Sequence, residues 1–417
     1  MASALALSDN LILKNVQSSI SKLNDQYDDL SPEELAGRED YWEMIRASYS
    51  HSKELINLNN GGVSPQPLVV QQAVEEYNRF SNEIPSHHMW HILDKGKEAI
   101  REKLSILAEC SPEEIAIQRN ASEALECVIF GLTLEKGDEV ILSQQDYPSM
   151  KNAWKQRALR DGIILKWVDL SYPIDDDDLI IHAYREKITD RTKIMHITHV
   201  INWNGRILPA RRLADIAHDH GAEVILDAAH SFCHISYSIA DLDCDYYGTS
   251  LHKWLCAPFG TGMLYIKKSK IASIYPLMAA PKPKSNDIRK FEHLGTRSIA
   301  IEQGIGQAIN FHQMIGIERK EARLRYLKNY WCEAVQNEPN VTIGTSLKKN
   351  HSCGIALFKI KSQDPLEING KLNKDFGIHA VAINYHNIEG VRITPHVYTL
   401  VNDLKTLIQG ITTIAKI

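Results

Sequence analysis

Short apolar runs that alternate with helical patterns through the middle of the chain constrain its fold more than any other feature. Buried strands are predicted at EEIAIQR (113–119), GDEVILSQ (137–144), KIMHITHV (193–200) and EVILDAAH (223–230), with helical patterns such as LPARRLADIAHDHG between them. Nearly continuous apolar strands that alternate with helices are typical of parallel βαβ units, whose sheet is covered on both faces. The sequence therefore predicts an α/β protein with a mostly parallel sheet, in which ligand-binding residues collect at the carboxyl ends of the strands.

The two ends of the chain depart from this pattern and predict a second, smaller domain. Residues 1–60 have a charged, helical pattern that ends in LINLNNGG, and a long helical pattern at 302–336 leads into short strands such as GIALFKI and VAINY. We expect a large domain at 61–305 and a smaller α+β domain at 306–417, which the N-terminal arm at 1–60 joins.

Composition excludes several classes of protein. Of the 417 residues 44% are hydrophobic, and 47 Lys and Arg stand against 52 Asp and Glu, a balance that argues against a nucleic-acid partner. The sequence has no run of about 18 apolar residues, so we expect no membrane span. Its N-terminus lacks a basic region, so we expect no secretory signal. The seven cysteines show no CxxC pair, so we expect reduced thiols, no metal site and a cytoplasmic location.

The segment CDYYGTSLHKWLCAPFGTG (244–262) is the strongest indication of chemistry. It places Ser250, His252 and Lys253 together between two predicted strands. A lysine beside hydroxyl and imidazole donors suits a Schiff base with an aldehyde cofactor that bears a phosphate, because the amine reacts only when neutral and partial burial favours its neutral form. In isolation, the HKW tripeptide fits a surface lysine better, so the surrounding motifs decide between the two interpretations.

Two other segments supply that context. Asp227 ends the strand EVILD, 26 positions before Lys253 (253 − 227), where a carboxylate can pair with a pyridinium nitrogen, and His230 follows three residues later. Each alone also fits an ordinary role, Asp227 as a helix cap or ion-pair partner and His230 as a core histidine. RNASEALE (119–126) opens a helix whose N–H groups and Ser122 hydroxyl can bind an anion, although Asn120 or Ser122 acting as a simple N-cap explains it too.

Taken in order, the segments NASEA, DYP, HVINWNG, LDAAH, SLHKW and LGTRS resemble one family of proteins. This is the class V aminotransferase branch of the fold-type-I pyridoxal-phosphate enzymes, which includes cysteine desulfurases, kynureninases, isopenicillin N epimerase-like proteins and some C–S lyases. The resemblance covers roughly residues 55–400, and NNGGVSP (59–65) and DYP (146–148) are most similar to the isopenicillin N epimerase-like group. It implies a seven-stranded, mostly parallel sheet, pyridoxal 5′-phosphate as cofactor and a homodimer with shared active sites.

The resemblance also implies roles for individual residues. Lys253 matches the lysine that carries the cofactor, Asp227 the partner of the pyridinium nitrogen, and His230 a residue near the phenolic oxygen. These three are the predicted catalytic residues. Further cofactor contacts are expected from a phosphate cup of Ala121, Ser122, Ser250 and His252. Tyr147 matches an aromatic ring stacked on the pyridine, and Asn202 a second contact to the phenolic oxygen. Thr296 matches a threonine that reaches the phosphate from the neighbouring subunit.

Substrate binding is assigned in the same way. Arg392 in GVRITPHVY matches the arginine that binds the substrate carboxylate, a task that suits its planar, bidentate fork. Asn60 is expected on the substrate side as well. Ordinary alternatives are a solvated arginine for Arg392, a packing residue for Tyr147 and a loop hydroxyl for Thr296. His87 and His88 fit either the substrate entrance or plain surface positions.

These matches predict an enzyme that acts on an amino acid or its derivative by transamination or epimerisation. Desulfurases carry a nucleophilic cysteine shortly before the carboxylate-binding arginine, but residues 375–392 contain none, and Cys353 lies upstream in a predicted strand start. A C–S lyase or a desulfurase-like enzyme is therefore the alternative within the family. A scaffold that retains the fold without catalysis is the alternative outside the enzymes, and the presence of both Lys253 and Asp227 argues against it.

Overall fold

A seven-stranded sheet forms the centre of the computed structural model, which describes residues 20–416. Its strand order is β2-β8-β7-β6-β5-β3-β4, and β8 runs antiparallel to both neighbours while all other pairs are parallel. The strands are β2 Ile115–Gln118, β3 Glu139–Ser143, β4 Ile164–Val168, β5 Thr192–Thr198, β6 Glu223–Asp227, β7 Tyr246–Ser250 and β8 Gly262–Ile266. The predicted α/β fold with a mostly parallel seven-stranded sheet is confirmed.

Helices cover both faces of this sheet, which explains why its strands are apolar on both sides. Along β3, Ile141 belongs to one buried hydrophobic cluster, whereas its neighbours Val140 and Leu142 belong to another. The helices up to the end of the sheet are α1 Pro32–Ala36, α2 Glu39–Arg46, α3 Leu68–Glu83, α4 Pro85–His87, a π-helix His88–Leu93, α5 Asp94–Ala108, α6 Ala121–Gly131, α7 Pro148–Asp161, α8 Asp177–Arg185, α9 Ala210–His218 and α10 Ile239–Leu242.

A second, antiparallel sheet lies in the C-terminal part, in the order β12-β13-β10-β9. Its elements are α11 Ile299–Ile315, α12 Ile317–Val335, β9 Val341–Ile343, β10 Ala356–Ile360, α13 Pro365–Phe376, β11 Ile378–His379, β12 Val381–Tyr385, β13 Ile388–Ile393 and α14 Val401–Ile414. Strand β1 Ile56–Asn57 pairs in parallel with β11, so the end of the N-terminal arm joins this sheet region. Residues 1–19 of the predicted arm lie outside the described residues.

No helix within residues 20–416 is both long enough and apolar enough to cross a membrane.

Candidate active site

The carboxyl ends of the parallel strands bring the predicted site residues to one edge of the large sheet. Asp227 is the last residue of β6, Ser250 is the last residue of β7, and Thr198 at the end of β5 is in register with Asp227. Helix α6 begins at Ala121, immediately after β2, and the turn that carries Lys253 follows β7. The edge of the sheet therefore holds residues that are more than 100 positions apart in sequence.

Lys253 lies within this cluster with its amine against an imidazole. Its Nζ is 3.1 Å from Nε2 of His230 and 6.0 Å from the centre of the Tyr147 ring. Burial lowers the pKa of Lys253 to about 8; Asp227 acts in the opposite direction and Arg392 adds to the decrease. Near neutral pH a larger fraction of this amine is therefore neutral than of an exposed lysine, and the neutral form is the one that a nucleophile or general base requires.

Asp227 is buried beside this lysine. Burial raises the pKa of the Asp227 carboxyl, while a hydrogen bond of 3.0 Å from the Ala229 N–H to Oδ1 and the charge of Lys253 oppose the increase. A buried carboxylate is costly unless a cation compensates it. A protonated ring nitrogen would supply that positive charge, so the position of Asp227 fits a pyridinium partner.

The predicted anion site lies where α6 begins. Asn120 Oδ1 accepts from the Glu123 N–H at 2.9 Å and caps the helix, while the Ala121 N–H donates to Ser250 Oγ at 2.9 Å. The cap is therefore Asn120, and Ser122 is not needed for it. A Cβ at Gly262 would lie 2.6 Å from Asn120 Cα, so only glycine allows β8 to approach this turn. Helix N–H groups beside a hydroxyl fit a phosphate.

His252 completes this side of the site. Its Nδ1 lies 2.9 Å from the carbonyl oxygen of Thr261 and donates to it, which orients the ring and leaves Nε2 for another partner. Burial lowers the pKa of His252, and the charge of Lys253 lowers it further. The residues of the predicted phosphate cup thus lie at the start of α6 (Ala121 and Ser122), at the end of β7 (Ser250) and in the turn after β7 (His252).

Arg392 on β13 reaches the same cluster from the C-terminal sheet. Its two terminal nitrogens donate to the backbone oxygen of Asn202 at 2.8 Å and to Asn59 Oδ1 at 2.9 Å. Burial lowers the pKa of the guanidinium to about 10, and Tyr147 opposes that decrease. Within residues 20–416, Arg392 Nε and Asn202 Oδ1 are buried without a hydrogen-bond partner. A buried guanidinium without a carboxylate and an unsatisfied amide both indicate a place for a ligand.

Two of the predicted residues are placed differently from the rest. The side chain of Asn60 is fully buried, with its NH2 group on the backbone oxygens of Thr394 and Asn57 and its Oδ1 accepting from the Tyr398 hydroxyl. The bonds to Thr394 and Tyr398 join the arm to the segment that follows β13, and the neighbouring Asn59 contacts Arg392 instead. Thr296 is exposed on the loop before α11, and no hydrogen bond among the described residues joins it to the cluster.

Three residues near the site were not singled out by the sequence. Besides Asn59, they are Asp146 and Trp254. Asp146 is buried and accepts hydrogen bonds from Thr198 Oγ1 and from the Ser143 N–H, each at 2.7 Å. Burial raises its pKa to about 7, and Asp227 adds to the increase. Its position just after a predicted strand, in the DYP segment, is the feature of the sequence that could have identified Asp146 as a residue of the site.

Of the tandem histidines His87 and His88, one has a structural role. The His88 ring stacks on Phe80 with 3.8 Å between the ring centres, and His88 Nδ1 donates to the Phe80 carbonyl at 2.7 Å. His88 is therefore a packing residue, whereas His87 remains exposed.

The fold and the site together define a class of protein, an α/β protein with a buried lysine of lowered pKa beside the predicted phosphate cup at the carboxyl edge of a mostly parallel sheet. The sequence pattern of the family described as Aminotransferase class-V matches residues 56–400. The chain belongs to the class V aminotransferase family.

Relatives of two kinds are similar to this chain. An isopenicillin N epimerase from Streptomyces clavuligerus is 26% identical over 386 residues, which cover 88% of this chain and 96% of that protein. A probable cysteine desulfurase from Halalkalibacterium halodurans is 29% identical over 349 residues, covering 80% and 84%.

Solved structures share the fold. The apo cysteine desulfurase from Thermococcus onnurineus NA1 has a TM-score of 0.80 at 23% identity, covering 90% of this chain and 98% of that one. The cystine C–S lyase C-DES, in complex with cysteine persulfide, has a TM-score of 0.77 at 20% identity, covering 86% and 98%.

Proposed function

We propose that this protein is a pyridoxal-phosphate-dependent enzyme that acts on an amino acid or amino-acid derivative by transamination or epimerisation. The observation that carries the proposal is the arrangement at the sheet edge. There the amine of Lys253 lies beside buried Asp227 and close enough to Arg392 for the charge of the guanidinium to lower the lysine pKa. Membership of the class V family and similarity to an isopenicillin N epimerase over most of the chain support it.

The residues of the site fit the cofactor at each of its polar groups. We assign Ala121, Ser122, Ser250 and His252 to the phosphate, which the hydrogen bond from the Ala121 N–H to Ser250 Oγ at the start of α6 supports, and Asp227 to the ring nitrogen. We assign His230 and Asn202 to the phenolic oxygen, to which the NH2 group of Asn202 would donate. Tyr147 is near enough to Lys253 to stack on the ring. When bound, pyridoxal phosphate supplies an aldehyde for amines and a ring that accepts electrons from the substrate's α-carbon.

The chain's own residues then divide the work. Lys253 carries the cofactor and, once released from it, takes the proton from the substrate α-carbon at Nζ and returns it, because burial lowers its pKa to about 8 and so favours the unprotonated base. Asp227 stabilises positive charge on the ring nitrogen. Arg392 holds the substrate carboxylate in place, with its guanidinium already oriented by Asn202 and Asn59.

The loop between β12 and β13 favours this function over desulfuration. Tyr385 pairs with Ile388, so the connection is a two-residue turn of His386 and Asn387. His386 Nε2 lies 3.0 Å from Asp169, and Asn387 donates to the Leu170 carbonyl at 2.8 Å. The Tyr385 ring also stacks on Trp203 at 4.1 Å. This short turn bonded to the large sheet replaces the cysteine-bearing loop that the family resemblance leads one to expect in a desulfurase.

A C–S lyase remains the second candidate function. β-Elimination from a cysteine-type substrate requires only removal of the α-proton and a leaving sulfur, which Lys253 can serve without a protein thiol. The fold similarity to the cystine C–S lyase C-DES is consistent with this alternative.

We further propose a homodimer. Thr296 is exposed on its loop, as expected of a residue that reaches the phosphate in a neighbouring subunit. The domain boundaries at 60–61 and 305–306 and a cytoplasmic location also remain proposals.

The test of the proposed function is a screen of amino acids against the purified, cofactor-loaded protein. Absorbance of the bound cofactor should change with at least one amino acid, and product analysis then separates the reactions. A keto acid and an aminated cofactor indicate transamination, inversion at the α-carbon indicates epimerisation, and pyruvate with sulfide indicates the lyase. A protein that binds no pyridoxal phosphate, or that responds to no amino acid, would contradict the proposal and favour a scaffold.

A further inference from the structure

A buried tryptophan connects to the reactive lysine through one imidazole. Trp254 follows Lys253 directly and is fully buried. Its Nε1 lies 3.4 Å from His230 Nδ1, and the opposite nitrogen of that ring, Nε2, lies 3.1 Å from Lys253 Nζ. The three side chains therefore form one line of contacts that ends at the amine.

The chemistry of these groups fixes the direction of both hydrogen bonds. An indole Nε1–H can only donate, so Nδ1 of His230 accepts and carries no proton. Burial keeps the pKa of His230 well below its usual value, and the charges of Lys253 and Arg392 lower it further, so the ring is neutral. The single proton of a neutral imidazole is then on Nε2, which donates to Lys253 Nζ. An amine accepts a hydrogen bond only through a free lone pair, that is, when it is unprotonated.

We propose that Trp254 is a positioning residue that holds His230 in the Nε2–H tautomer, so that His230 donates to the unprotonated amine of Lys253. The other tautomer would present an unprotonated Nε2 and accept from the charged ammonium, which would favour the unreactive form of the lysine. This inference rests on the proposed role of Lys253 and extends it to a residue that lies behind the site.

The indole is itself held in a fixed orientation. The His234 ring stacks on Trp254 with 3.6 Å between ring centres and 6° between planes, and the His396 ring stacks on it at 5.6 Å. His234 is in turn fixed, because its Nδ1 donates to the His230 carbonyl at 2.6 Å and its Nε2 accepts from the Gly354 N–H at 2.7 Å. Lys320 Nζ donates to the Trp254 carbonyl. The indole N–H thus has little freedom to turn away from His230.

The charged and titratable groups around Lys253 set the background for this effect. Asp227 on β6 favours the ammonium, Arg392 on β13 disfavours it, and burial lowers the pKa to about 8. His252 and Tyr147 are the other titratable neighbours, from the same turn and from the start of α7. The His230 tautomer adds to these influences through a direct hydrogen bond.

Trp254→Phe tests the proposal because it removes the indole N–H and keeps an aromatic ring between the imidazoles. Trp331→Phe is the matched control, since Trp331 is also fully buried but its Nε1 has no partner among the described residues. The full-length chain is freed of cofactor, labelled with trace acetic anhydride across a pH series, and analysed for acetylated Lys253 by peptide mass spectrometry. The labelling midpoint reports the pKa of Lys253 without reference to catalysis.

We expect a midpoint near pH 8 in the wild type and in Trp331→Phe, and a midpoint about one pH unit higher in Trp254→Phe. In ¹⁵N-histidine spectra, assigned with His230→Gln, Nε2 of His230 should be the protonated nitrogen and should lose that preference in Trp254→Phe. If the phenylalanine variant folds poorly, benzothienylalanine at position 254 takes its place, because it replaces only the indole N–H by sulfur. This variant should show the same two changes.

An unchanged Lys253 midpoint in both position-254 variants would overturn the proposal, as would an equal shift in Trp331→Phe. Because these measurements use neither cofactor nor substrate, their failure is distinguishable from failure of the proposed function. Absence of amino-acid chemistry with an intact tautomer effect would count against the function alone.

Discussion

Replacing Arg392 with alanine is expected to remove the contact that distinguishes amino acids from simple amines. The guanidinium is buried, its terminal nitrogens are held by Asn202 and Asn59, and no acidic side chain within residues 20–416 forms an ion pair with it. A substrate carboxylate would therefore be its charge partner. Removal of one partner from a desolvated, hydrogen-bonded charge pair costs about 2–5 kcal/mol. At about 1.4 kcal/mol per tenfold, affinity for the amino acid should fall by roughly 30-fold to 4,000-fold.

The assay is a cycle of two proteins and two ligands. L-Alanine and ethylamine, which differ by the carboxylate, are each titrated into the wild type and into Arg392→Ala, and binding is followed by the absorbance of the bound cofactor. Alanine should lose most of its advantage over ethylamine in the variant, whereas affinity for the cofactor should barely change. Arg392→Lys should be intermediate, because it keeps the charge and loses the bidentate fork.

Asn59→Ala provides a second test of the geometry. It removes the acceptor that orients one terminal nitrogen but leaves the guanidinium, so the loss for alanine should be smaller than in Arg392→Ala. An equal loss for alanine and ethylamine in Arg392→Ala would show that the arginine supports the fold rather than the carboxylate. Equal affinities of the two ligands in the wild type would refute the assignment altogether.

Three further predictions follow from the same site. Asp227→Ala should reduce turnover severely while the protein stays folded, and near-wild-type rates would show that the ring nitrogen is stabilised in another way. Light scattering should give about 94 kDa, twice the 47.2 kDa chain, and an active monomer would remove the basis for a shared site. Incubation with cysteine should leave no persulfide on Cys353, because that thiol is buried and burial raises its pKa to about 12; alanine together with a Cys353 persulfide would contradict this prediction, and pyruvate would favour the lyase.

The sequence was sufficient for the parts of the fold and site that depend on local pattern. Apolar runs of strand length between helical segments predict the mostly parallel sheet, and the predicted strand EVILD ends at Asp227, as the structure has it. The motif order leads to the family, which the match over residues 56–400 confirms. The individual roles of Lys253 and its neighbours stay predictions for the experiments above.

Side-chain direction and long-range pairing were beyond the reach of the sequence. Asn59 and Asn60 are adjacent, and the bridge between Asn59 and Thr394, together with the turn that begins at Asn60, decides which one contacts Arg392. Trp254 directly follows Lys253 in the sequence, but this adjacency does not show which side chain the indole contacts. Its contact with His230 depends on how the turn after β7 packs against the segment after β6.

Borohydride reduction tests whether Lys253 carries the cofactor. The cofactor-loaded protein is reduced, digested and mapped by mass spectrometry, which locates the amine that was joined to pyridoxal phosphate. We expect the label on Lys253 and its loss in Lys253→Ala, a variant that keeps the residues of the predicted phosphate cup. A label on any other lysine, or an unlabelled wild type, would contradict this expectation.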